Sequence, residues 1–199
     1  MTTSILRKSW AFLFSAAVSL PVWAGLFGSS HDEGIAAYQR GDYEAAANNL
    51  MDAATHDDPE AYFYLGQLYR QGLGGLARNE DNAFRLIKAA ATENYSPAEM
   101  ALADWYKTGG GRIHANANMR VLWLQKAAHQ NVVAAQLQLA QIYQQGDGVL
   151  ADPDLSRHWY QLAAEQGSGE AQRALGALPA PVPSQVATSL NPADNTSSN

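Results

Sequence analysis

Three stretches of this chain repeat one another in register, and that self-similarity leaves few folds open. AYFYLGQLYRQGLGG begins at Ala61, AEMALADWYKTGGG at Ala98 and AQLQLAQIYQQGDG at Ala135, and a truncated copy, AQRALG, begins at Ala171. The starts lie 37, 37 and 36 residues apart. Each copy opens on a small residue (Ala61, Ala98, Ala135, Ala171) and places leucine four positions on (Leu65, Leu102, Leu139, Leu175). A second small residue follows at once (Gly66, Ala103, Ala140, Gly176), and the full copies add Tyr69, Tyr106 and Tyr143. The spacing i, i+4, i+5, i+8 marks one face of an α-helix. Its small residues let a second helix approach closely.

Behind each such helix comes a glycine loop: Gly72 and Gly74, Gly109 and Gly111, Gly146 and Gly148. Glycine takes backbone angles that other residues enter only at a cost. Leu76, Ile113 or Val149 follows and is expected to plug the loop onto the core. The loops lack the Lys-Ser/Thr of a phosphate loop, and no strand precedes them. A second helix is then predicted, with Asn79, Asn116 and Asp152 as N-caps and Pro153 in a first helical position. Bulky pairs (Leu86-Ile87, Trp123-Leu124, Trp159-Tyr160) and alanine pairs (Ala90-Ala91, Ala127-Ala128, Ala163-Ala164) fall in register. Asn94, Asn131 and Gly167 suit a left-handed C-cap. Asp58-Pro59 and Ser96-Pro97 are expected to cap the next helices.

A related unit precedes Ala61, with Gly41 in a tight turn and Ala53-Ala54 where the later alanine pairs stand. The expected fold is all-α: a right-handed α-solenoid of about four helix-turn-helix repeats plus a short C-terminal capping helix. A first helix pair spans 33–57, repeats span 58–94, 95–131 and 132–167, and a partial repeat spans 168–177. The tail 178–199 is rich in Pro, Ser, Ala and Asn, with Asp194 its only charge, and reads as disordered.

The pattern A-x-x-x-L-G-x-x-Y-x-x-G-x-G, followed by W-Y-x-x-A-A-E-Q-G, resembles the Sel-one-like repeat, a relative of the tetratricopeptide repeat. The third copy matches best, through Ala135, Leu139, Tyr143, Gly146, Gly148, Val149, Asp152, Trp159, Tyr160 and Ala163 to Gly167. The resemblance covers roughly 60–177, and the segment 33–57 looks more like a tetratricopeptide unit. Departures are Ala at 103 and 140, Arg112 in place of a small apolar residue, and one extra residue in the first loop near Gly75. The resemblance implies a superhelical scaffold that binds proteins or peptides, as an adaptor in envelope assembly, signalling or secretion. Some cysteine-rich relatives are linked with β-lactam binding or hydrolysis. This chain has no cysteine, so a hydrolase of that kind is the least favoured reading.

Residues 1–24 read as an export signal. Arg7 and Lys8 form a basic start, Trp10 to Leu20 an apolar stretch, Pro21 a break, and Val22-Trp23-Ala24 a small-residue cleavage pattern. The apolar stretch falls short of the roughly 20 residues that span a bilayer; an uncleaved anchor is the alternative. Cleavage after Ala24 would take the net charge from −6 to −8. It would leave a short linker at 25–32 and a periplasmic or secreted protein with no membrane span.

The negative charge and the lack of a Lys/Arg cluster argue against a nucleic-acid partner. Zero cysteines exclude disulfides and thiolate chemistry. His31, His56, His114, His129 and His158 form no i, i+4 pair of a zinc site, and no serine elbow motif is present. No enzyme activity, metal or cofactor is therefore expected. The recurring positions are read as core, and binding is assigned to exposed positions on the first helix of each pair. These are Tyr64, Gln67 and Gln71, then Asp104 and Lys107, then Gln138, Gln141 and Gln145. Glutamine amides both donate and accept, which suits a peptide backbone in a concave groove. A merely solvated polar face is the alternative. Another alternative is a structural envelope component whose Trp and Tyr rings stack on cell-wall sugars. The partner and the oligomeric state are left open.

Overall fold

The computed structural model describes residues 30–179. The residues read as an export signal, most of the expected linker and the tail from 180 lie outside the described residues. Nine helices follow in order within them: α1 (Ser30–Arg40), α2 (Tyr43–Ala54), α3 (Pro59–Gln71), α4 (Glu80–Thr92), α5 (Ser96–Thr108), α6 (Ala117–His129), α7 (Val133–Gln145), α8 (Pro153–Glu165) and α9 (Gly169–Ala177). Each helix packs mainly on its predecessor and its successor, and α1 also reaches α3. This is an all-α solenoid, in which odd-numbered (A) and even-numbered (B) helices alternate. The first helix begins earlier than expected: residues 30–32, assigned to a linker, form its first turn. His31 explains this, because its ring is tied to Asp58 and stands 3.6 Å from Glu60 at the start of α3.

The recurring residues make the core. Ala61, Ala98, Ala135 and Ala171 are fully buried, as are Leu102 and Leu139, and Leu65 nearly so. Leu175 and Gly176 in the truncated copy are half-buried and exposed, since no further B helix follows them among the described residues. Two apolar clusters result. One is centred on α1–α3, the other runs from α4 to α9, and Tyr69 packs against both.

Local chemistry sets the helix boundaries. Asn79, Asn116 and Asp152 cap their B helices through side-chain oxygens, at 2.9 Å to the Asn82 amide, 3.0 Å to Met119 and 2.9 Å to Leu155. The amide of each capping residue also donates at 2.8 Å to the carbonyl of Tyr69, Tyr106 or Tyr143, which pins the glycine loop. The second loop glycine rests on the first turn of the preceding B helix in every repeat. A Cβ on Gly74 would meet the Tyr43 carbonyl oxygen at 2.2 Å, one on Gly111 the Glu80 Cβ at 3.1 Å, and one on Gly148 the Ala117 Cβ at 2.4 Å. The first and second loops are equal in length, spanning 72–79 and 109–116, and the third spans 146–152. The first copy therefore has no extra residue relative to the second; the third copy is one residue shorter.

At the repeat junctions Asp57, Asn94, Asn131 and Gly167 all have positive φ. After the last three of these the next residue closes a Schellman turn: Tyr95 N–H reaches the Ala90 carbonyl, Val132 that of Ala127, and Ser168 that of Ala163. Such turns favour an apolar residue there. Ser96, expected to cap α5, consequently sits inside the first turn, and Tyr95 holds the N-cap without a side-chain bond. Asp58 caps α3 as expected, accepting from the Glu60 and Ala61 amides at 2.9 and 3.1 Å.

Candidate binding surface

Equivalent positions on α3, α5 and α7 carry the side chains assigned to binding. Gln67, Asp104 and Gln141 share one register, Tyr64 and Gln138 a second, and Gln71 and Gln145 a third. The structure brings these positions onto successive A helices but does not leave them alike. Gln71, Asp104, Lys107, Gln141 and Gln145 are exposed; Tyr64, Gln67 and Gln138 are half-buried.

Tyr64 is engaged in packing. Its ring lies 4.8 Å from Tyr38 of α1 and 5.3 Å from Phe63, so it helps join α1 to α3. Burial, and then the nearby Glu60 charge, push its phenol above the usual range. Gln141 spans the last junction, donating to Glu170 of α9 at 3.1 Å.

Gln67 and Gln71 line a 450 Å³ cavity together with Arg70 and Arg78. Neither arginine figured among the expected site residues. Arg70 lies over the Trp105 ring at 4.8 Å, a cation–π contact that fixes its guanidinium. Arg78 donates to Glu80 at 2.5 Å, which holds that carboxyl below its ordinary value. Register could have exposed Arg70, because it is the counterpart of Lys107 and of Gln144, which accepts from Tyr160 at 3.1 Å.

Acidic side chains are wholly or partly buried at two further places. His31, Asp58 and Glu60 cluster beside Tyr95, whose hydroxyl donates to Glu60 at 3.0 Å. Glu99 is fully buried, and burial pushes its carboxyl up despite Lys126 nearby. Among the described residues no group of three or more His, Cys, Asp or Glu side chains could hold a metal ion. No helix there is long and apolar enough to cross a membrane.

A family model, the Sel1 repeat, matches residues 59–95, 96–132 and 133–168. The chain is similar to the crystal structure of a Sel1 repeat protein from Oxalobacter formigenes, with 30% identity and a TM-score of 0.67 over 75% of this chain and 59% of that one. It is also similar to a protective antigen present in uropathogenic Escherichia coli strains displaying an SLR fold. There the identity is 26% and the TM-score 0.62, over 77% of this chain and 34% of that one. The chain thus spans less than two thirds of either solved relative. No curated protein matches it. Three consecutive repeats cover more than half of the 199 residues, and the chain belongs to the Sel1 repeat family.

Proposed function

We propose that this protein is an exported interaction scaffold of the bacterial cell envelope, which holds a protein or peptide partner along the exposed face of α3, α5 and α7. The family generally serves in protein interaction, and its fold is typically non-catalytic. The observation that carries the reading is the recurrence of polar side chains in one register. Gln67, Asp104 and Gln141 follow each other on neighbouring A helices, while the core positions around them hardly vary. A continuous surface of hydrogen-bonding groups on a stacked array suits an extended ligand. Export rests on the basic start, apolar stretch and cleavage pattern of residues 1–24.

The sugar-stacking alternative is disfavoured by packing. Trp105, Trp123 and Trp159 are only 2–5% exposed and are committed to the core.

A photo-crosslinking residue placed at 104, 141 or 145 should trap one protein partner in living cells, and one placed at His158 on the B-helix side should not. Equal trapping from both sides would refute the A-helix assignment. Mass spectrometry of the mature N-terminus should find Gly25 first; retained Met1 would refute cleavage.

A further inference from the structure

We infer that a pocket between α3 and α4 is a binding site for an aromatic side chain of a partner polypeptide, indole above all. The pocket encloses about 420 Å³, and on the α4 side Asn82, Arg85, Leu86 and Ala89 line it. The repeat register shows what stands at the same places elsewhere. Leu86 corresponds to Trp123 and Trp159, Ala89 to Lys126 and Leu162, and Asn82 to Met119 and Leu155. At each of these three positions the first repeat has a smaller side chain than both of the others.

In the second repeat the indole of Trp123 is 5% exposed, with the Lys126 ammonium 4.9 Å from its ring centre. In the third, Trp159 is 4% exposed. The chain itself therefore buries an indole at this register position twice, and at the third equivalent place has a leucine beside a pocket. Two lining residues are larger than their counterparts: Tyr62 (Glu99 and Gln136), whose hydroxyl is drawn to Asp57 at 2.7 Å, and Arg85 (Leu122 and His158).

The chemistry of the lining favours an indole over an aliphatic guest. Trp123 and Trp159 bury their ring N–H groups without an acceptor. Asn82 brings a side-chain amide, which can accept a hydrogen bond, to the lining where the other repeats have Met119 and Leu155. Arg85 supplies a cation at the pocket, as Lys126 does for Trp123, and cations favour aromatic faces. The site does not depend on the A-helix face proposed above.

The test is a titration of the full chain with N-acetyl-tryptophanamide, against N-acetyl-leucinamide, followed by ligand-observed NMR and by the Leu86 and Ala89 methyl signals. Saturable binding of the tryptophan compound alone is expected. Leu86→Trp should abolish it and keep the helical circular dichroism. Ala89→Phe, which adds a ring of the chain's own to the lining, should do the same, and decides the matter if Leu86→Trp does not fold. Gln141→Ala should leave indole binding unchanged whatever it does to partner crosslinking. No saturable binding, equal binding of the two amides, or unchanged binding in a folded Leu86→Trp or Ala89→Phe protein would each overturn the inference.

Discussion

The Gln130 amide donates to one carboxylate oxygen of Glu99 at 2.7 Å, and one repeat later Gln166 makes the same 2.7 Å contact to Gln136. The two contacts tie the end of a B helix to the start of the A helix before it. They differ in charge. Gln136 also donates to the Ala128 carbonyl at 3.1 Å, while the second oxygen of Glu99 is buried without a partner.

Glu99→Gln should stabilise the protein at neutral pH. Burial raises the folded-state pKa of Glu99 above its unfolded value. Its protonated form therefore favours folding, a contribution present below the unfolded pKa and lost as pH rises through the folded one. The variant removes that loss, by about 1 kcal/mol. Thermal melts should show its advantage at pH 7 shrinking as pH falls into the carboxylate range. An advantage that stays constant with pH would contradict the sign.

Gly74→Ala should cost more than Gly75→Ala. Both residues have positive φ, at 66° and 75°, but an added Cβ at 75 meets nothing within 4 Å and one at 74 meets backbone. The left-handed conformation alone costs roughly 1–2 kcal/mol. Overpacking against Tyr43 adds roughly 1–3 kcal/mol more. Urea midpoints of the two variants compare them directly.

Asp152→Ala should destabilise by about 1 kcal/mol, the usual loss of a side-chain cap. Ser96→Ala should change stability by less than about 0.5 kcal/mol, because Ser96 caps nothing. Denaturant titrations that reverse this order would show the α5 boundary to be misplaced.

Lys107→Ala and Gln145→Ala should leave the melting temperature within the range of ordinary surface changes, about 0.5 kcal/mol, since both side chains are exposed. Partner crosslinking through residue 141 should weaken in both. Unaltered crosslinking in the double variant would leave this face as a solvated surface.

The fold was legible because one pattern is written three times. Ala61, Leu65 and Tyr69 recur with their counterparts at helical spacing, and the N-caps of α4, α6 and α8 lie in the same register. The α5 boundary was not, because Tyr95 closes one turn while opening a helix, and its apolar side chain resembles no cap. The binding face was legible only as a register. Tyr64 looks equivalent to Gln138 in sequence, yet it is packed against Tyr38, a contact that depends on how α1 lies on α3. The cavity at Arg70 and Arg78 draws on a helix and the loop after it, and no periodicity links the two.

One residue, Tyr95, Val132 or Ser168, ends one repeat and begins the next. A hinge with no spare residue cannot absorb an insertion without breaking either the turn behind it or the helix ahead of it. Growth and loss of chain are thereby channelled to the glycine loops, where the third repeat is already one residue shorter. The junctions keep one length while the loop edge of the array is free to diversify.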